Sequence, residues 1–141
     1  MVRVLATGTF DILHPGHLLY LEEAKKLGDE LWVIVARNSM VNHKSKPILP
    51  EDQRLAMVSA LRVVDHALLG DEHDMFKPLE EIHPDIVVLG HDQHFNAEEL
   101  EEKMVSRGIN AKVVRIISYQ ACSNCSTGSI IRSILDRSNR S

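Results

Sequence analysis

At 141 residues, with 44% hydrophobic and 26% charged side chains, the sequence has the size and composition of one globular domain spanning residues 1–141. A formal net charge of −4 excludes broad binding to nucleic acid or to anionic membranes, so any anionic ligand must be drawn by a local cluster of donors. There is no apolar run of about 18 residues and no basic-then-apolar leader, so no membrane association and a cytoplasmic location are expected.

In chain order, Val2–Ala6 reads as a first strand. It runs directly into Gly8-Thr9-Phe10-Asp11-Ile12-Leu13-His14-Pro15-Gly16-His17. A helical spacing of Leu18, Leu19, Leu21, Ala24 and Leu27 follows and stops at Gly28. Leu31–Ala36 is a second strand, followed by the polar loop Asn42-His43-Lys44-Ser45-Lys46. Pro50-Glu51-Asp52 opens a helix whose apolar face is Met57, Val58 and Leu61. His66–Leu69 and Ile86–Leu89 are strands, separated by a helix over Phe76–Ile82 that stops ahead of Pro84. Ala97–Arg107 forms a helix ended by Gly108, Lys112–Ile117 a last strand, and Thr127 to about Arg137 a last helix. These strands are near-continuous apolar runs without polar alternation, as expected when helices cover both sheet faces. Five β/α units predict an α/β fold, a single-domain, doubly wound, five-stranded parallel sheet of Rossmann-like type. Ligands in such sheets sit at the carboxyl ends of the strands. That rule gathers Gly8–His17, Arg37–Lys46, Gly90–Gln93 and Ser118–Thr127 around one crevice.

The chemistry concentrates in Gly8–His17. Strand, glycine turn and helix start is the layout in which N–H groups and the helix dipole collect phosphate oxygens. His14 and His17, at i and i+3, share one helical face and can donate to the same phosphoryl group. No Gly-Lys-Ser/Thr follows, so this is not a Walker A loop. An ordinary βα turn would also carry these residues, and as a metal pair two imidazoles are too few for a closed site. Lys44 and Lys46 offer a local positive cluster in an acidic chain. Arg54 can bind a phosphate or pair with Glu51, and Ser126 can be a plain helix N-cap. Cys122 and Cys125 lack further ligands at zinc spacing and are expected to be reduced thiols whose oxidation would distort the adjacent turn.

The combination of Thr9, Phe10, Asp11, His14, Gly16 and His17 resembles the signature of the HxGH nucleotidyltransferase superfamily, especially its cytidylyltransferase-like branch. Asp29–Arg37, Lys46–Arg54 and Pro84–Gln93 extend the likeness over nearly the whole chain, toward the archaeal FAD synthases (FMN adenylyltransferases). That resemblance implies transfer of AMP from ATP to FMN, giving FAD and pyrophosphate. It implies that His14 and His17 hold the α- and β-phosphate oxygens and that Lys44 reaches the transferring phosphate. It brings Thr9, Phe10, Pro15 and Gly16 close to ATP, with Asp92 on the ribose and Tyr119 on the adenine. The leaving phosphates fall to Ser126, Thr127 and Arg132, with Gly128 a departure where another Ser or Thr is usual. Asp11 can brace the turn or touch substrate, and its role stays open. A Mg²⁺ ion carried by the triphosphate is implied, with no transition-metal site, no nucleic-acid partner, and a homodimer by analogy with relatives.

Three other readings compete. Glycerol-3-phosphate cytidylyltransferase shares Gly8–His17 and the lysine loop, but usually carries Trp where this chain has Gln93. Pantetheine-phosphate adenylyltransferase normally carries Thr in place of His14. A nucleotide- or redox-sensing module that lost turnover would explain the cysteine pair, but not the intact His14, His17, Lys44 and Ser126–Arg132 set.

Overall fold

A computed structural model of the chain describes residues 1–41, 46–90, 96–116 and 125–140. The elements are β1 (Arg3–Gly8), α1 (Pro15–Lys25), β2 (Glu30–Val35), a short 3-10 turn (Asn38–Met40), α2 (Glu51–Ser59) and β3 (His66–Leu69). There follow α3 (Lys77–Ile82), β4 (Ile86–Leu89), α4 (Ala97–Ser106), β5 (Lys112–Arg115) and α5 (Thr127–Arg140). The strands form one five-stranded sheet in the order β3-β2-β1-β4-β5, and every pairing is parallel. The doubly wound sheet expected from the sequence is the one observed.

Alternation along each strand explains the unbroken apolar runs. Val4 and Ala6 of β1 and Val33 and Val35 of β2 join one core with Leu21 and Ala24 of α1 and Val58 of α2. Leu5, Ile34, Val87 and Leu89 face the other way, onto Leu79 and Ile82 of α3 and Leu100 and Met104 of α4. Both faces are buried, so neither set of side chains can be polar.

Two expectations change in detail. Met57 does not face the core and is half exposed, whereas Arg54 and Val58 are fully buried. The reason is periodicity: positions four apart share the inward face, and Met57 lies about 100° from Val58. The first helix also ends before Gly28, with Lys26 as its cap and Leu27 and Gly28 in the following turn.

At the amino ends of the strands, aspartates satisfy leading N–H groups. Asp29 accepts from Val2 (2.7 Å), Asp85 from Arg3 (2.8 Å) and Asp65 from Leu31 (2.7 Å). Across the β3–α3 connection, Asp74 accepts from the Phe76 N–H and, through both oxygens, from the guanidinium of Arg107 at the end of α4. The Arg107 bonds, then the Phe76 bond, hold the Asp74 carboxyl down at about 2 from its ordinary 3.8. A depressed carboxyl stabilises the fold fully above its unfolded value and loses that contribution as pH falls through the folded one. In urea melts against pH, the midpoint difference between wild type and Asp74→Asn is therefore expected to be constant above about pH 4 and to shrink toward pH 2. A pH-independent difference would contradict this origin.

Candidate active site

The strand order reverses at β1, whose neighbours are β2 on one side and β4 on the other. A crevice opens at such a switch point beyond the carboxyl ends of the strands. The segment leaving β1 is Gly8–His14. Phe10 takes a left-handed conformation (φ 53°), unusual for a residue with a side chain and costing on the order of 1–2 kcal/mol. Its ring is buried and folds back over Gly8, where an added Cβ would lie 2.8 Å from ring carbons. The turn therefore needs a glycine at position 8. The Phe10 ring in turn lies against His17, at 5.3 Å between centroids and 59°. His14 stacks on His17 at 3.8 Å and 27°. The structure thus brings together the two imidazoles singled out by the motif.

His14 is also the N-cap of α1. Its Nδ1 accepts the Gly16 N–H at 3.1 Å, and its carbonyl accepts from His17 at 3.0 Å. Pro15 has no N–H to offer. The start of this helix therefore spends its backbone donors internally. The N–H groups that the sequence reading gives to phosphate are thus engaged within the turn. An Nδ1 lone pair engaged as acceptor puts the proton of a neutral imidazole on Nε2, making His14 an Nε2–H donor.

A second frame holds this turn against the loop before α2. Arg54 is wholly buried, yet every arm of its guanidinium is bonded. Nε donates to the Leu49 carbonyl (3.0 Å), Nη1 to the Thr9 and Ala36 carbonyls (2.7 Å each), and Nη2 to Asn38 Oδ1 (2.6 Å). Burial lowers its pKa, opposed by the charges of Asp11 and Glu51. Asp11 makes the reciprocal contact, accepting from the N–H groups of Ile48 and Leu49 at 2.9 Å each. Asp11 is thus a brace between the β1 turn and this loop. Arg54 has neither expected role: Glu51 instead pairs with Arg37 at 2.9 Å. Sequence reasoning missed this hub, because the Thr9 and Ala36 carbonyls that define it come from distant segments.

The third element is the start of α5. An added Cβ on Gly16 would lie 2.9 Å from the Cys125 carbonyl, so the two helix starts meet only because position 16 is glycine. Thr127 Oγ1 donates to the Ile12 carbonyl at 3.2 Å, tying the ends of the chain together. Ser126 Oγ accepts from the Ser129 N–H at 3.1 Å and is the plain helix cap. Arg132 is exposed, and its Nη1 would lie 3.6 Å from a Cβ on Gly128, so the departure at Gly128 leaves the guanidinium beside the first turn. Cys125 is disulfide-bonded, which corrects the reduced thiol expected from the compartment.

Lys44, Asp92, Tyr119 and Cys122 lie outside the described residues. Lys46 is exposed and its Nζ donates to the Asn38 carbonyl at 2.8 Å. Among the described residues, no three His, Cys, Asp or Glu side chains gather as a metal cage. No described helix is long and apolar enough to cross a membrane.

The cytidylyltransferase-like family profile matches residues 5–133. The chain is 66% identical over 137 residues to a protein of Methanohalophilus mahii named FAD synthase, covering 97% of this chain and 96% of that one. It is 62% identical to an Archaeoglobus profundus protein of the same name, covering 96% of this chain and 88% of that one. Among solved structures, it is similar to a lipopolysaccharide core biosynthesis protein from Thermoplasma volcanium, with a TM-score of 0.83 and 55% identity over 85% of this chain and 99% of that one.

Truncation of Arg54 leaves three buried carbonyls without their donor. Arg54→Ala is expected to lose about 3 kcal/mol of stability in urea melts, and Arg54→Lys to recover only part, since an ammonium cannot match the fork. A loss near zero would contradict the hub.

Proposed function

The chain belongs to the cytidylyltransferase-like family, and on that premise we propose that it is an adenylyltransferase joining ATP and FMN to give FAD and pyrophosphate. The observation that carries the reading is the stacked His14–His17 pair at the start of α1, facing the start of α5 across Gly16. Relatives named FAD synthase, 56–66% identical over nearly the full chain, support FMN as the acceptor.

The reaction needs positioning and charge more than covalent chemistry. A phosphate oxygen of FMN attacks the α-phosphorus of ATP, the bond from that phosphorus to the bridging oxygen of the β-phosphate breaks, and pyrophosphate leaves in line. His14, donating from Nε2, and His17 stabilise charge developing on the α- and β-phosphate oxygens. Thr9, Phe10, Pro15 and Gly16 form the wall that lets ATP approach the β1 turn. Among the described residues, the Thr127 and Gly128 N–H groups are not used by the Ser126 cap, and with Arg132 they receive the leaving phosphates. Ser126 holds that turn in shape. Lys44 completes the set at the transferring phosphate, Asp92 at the ribose and Tyr119 at the adenine. The donor set here is imidazole, guanidinium and amide, which suits phosphate oxygens rather than a metal. Mg²⁺ would come with ATP, and when bound would supply charge neutralisation at the phosphates that these side chains hold. The same reading gives a cytoplasmic enzyme acting on ATP and FMN as a homodimer.

The test supplies ATP with FMN, and CTP with glycerol 3-phosphate, in Mg²⁺. FAD and pyrophosphate are expected from the first pair alone. Turnover of only the second pair would transfer the assignment to a cytidylyltransferase, and no turnover of either would favour a sensing module. His17→Ala is expected to lower kcat by a factor of about 10² to 10³ with little change in stability. A change confined to nucleotide affinity would contradict a role in the chemical step.

A further inference from the structure

The phosphate-binding parts lie over β1 and α5, on the β4 side of the switch point. On the other side, an open cavity of about 450 Å³ lies at the carboxyl end of β3. Its wall includes Arg37, Leu69, Gly70, His73, Lys77 and Pro78, with Glu81 at the rim. Hydrogen bonds step from the nucleotide turn toward it: Ala36 donates to the Gly8 carbonyl (2.9 Å), and Gly70 to the Val35 carbonyl (3.0 Å). Two strand spacings separate Gly8 from Gly70, roughly 10 Å.

The cavity is held in shape before any ligand arrives. Asp71 Oδ1 accepts the His73 and Asp74 N–H groups at 2.9 Å each, and Asp74 is clamped by Arg107. Arg37 Nε donates to the Gly70 carbonyl at 2.6 Å while Nη1 holds Glu51, so this guanidinium forms the partition between cavity and crevice. A cavity of this volume, polar along most of its lining with Leu68, Leu69 and Pro78 as its apolar part, is in the range of small-molecule sites.

We propose that this cavity is the acceptor subsite and takes the flavin ring of FMN, an inference that rests on the FMN reading above. The ribityl chain bridges a distance comparable to the two strand spacings, so a ring seated over β3 delivers its phosphate to the His14–His17 pair. The dimethylbenzene end packs on Leu69 and Pro78. The opposite edge of the ring alternates carbonyl, imide N–H and carbonyl. Such an edge needs donors and an acceptor side by side, which Lys77, His73 and Glu81 supply. Among the described residues no Phe, Tyr or Trp lines the cavity, so the ring is held there by aliphatic packing and edge hydrogen bonds.

The experiment has two arms. Hydrogen exchange of the wild-type chain with FMN alone is expected to protect amides within residues 68–81, and it needs no variant. Glu81→Trp, which fills the rim from an exposed position, is expected to raise KM for FMN about tenfold while KM for ATP is unchanged. Lys77→Trp, also exposed, gives the same reading should the first variant not fold. Wild-type protein that makes FAD but shows no protection at 68–81, or an FMN KM untouched by these variants, overturns the subsite. A parallel rise in the ATP KM does the same. Wild-type protein that makes no FAD defeats the FMN reading itself, and the subsite with it.

Discussion

A buried positive charge organises this site. Arg54 sits where the carboxyl ends of two adjacent parallel strands would otherwise leave carbonyl groups without ladder partners, and it donates to both, through Thr9 and Ala36. Burying a guanidinium is tolerable only when its nitrogens are hydrogen-bonded, and here all three are. Asp11 supplies the reverse, a carboxylate that takes up two otherwise idle N–H groups of the loop before α2. Between these contacts the left-handed Phe10 has no alternative geometry. The ring that it buries then fixes His17.

The frame also divides labour between the two helix starts. At α1 the backbone donors close on His14 itself, so the ligand meets imidazole and dipole. At α5 the cap comes from a serine side chain, which takes the Ser129 N–H. Gly16 joins the two because any side chain there would strike the Cys125 backbone. A ligand with a chain of phosphates fits such a pair of dissimilar anion-binding ends better than a compact monoanion does.

Much of this was legible in the sequence, for physical reasons. The strands announced themselves because both faces are buried, so Val, Leu and Ile run without interruption. His14 and His17 could be read as one unit because three residues is nearly one helical turn. Features set by distant contacts could not be read. Nothing local distinguishes Arg54 from a surface arginine, since its carbonyl partners at Thr9 and Ala36 come from other strands. The role of Asp11 stayed open in the sequence, because its partners lie some 37 residues away. The left-handed Phe10 follows from packing, and composition does not encode the disulfide-bonded state of Cys125. The cavity over β3 is assembled from three separate segments, so no motif marks it.

The most direct measurement of the central claim follows one phosphorus atom. ATP radiolabelled at the α-phosphorus is turned over with FMN and Mg²⁺, and the products are separated. Label in the flavin product, in a one-to-one ratio with unlabelled pyrophosphate, is expected if the paired imidazoles hold the α-phosphate for in-line attack by FMN. Label recovered as free AMP, or left in ATP while FMN is unchanged, would contradict it.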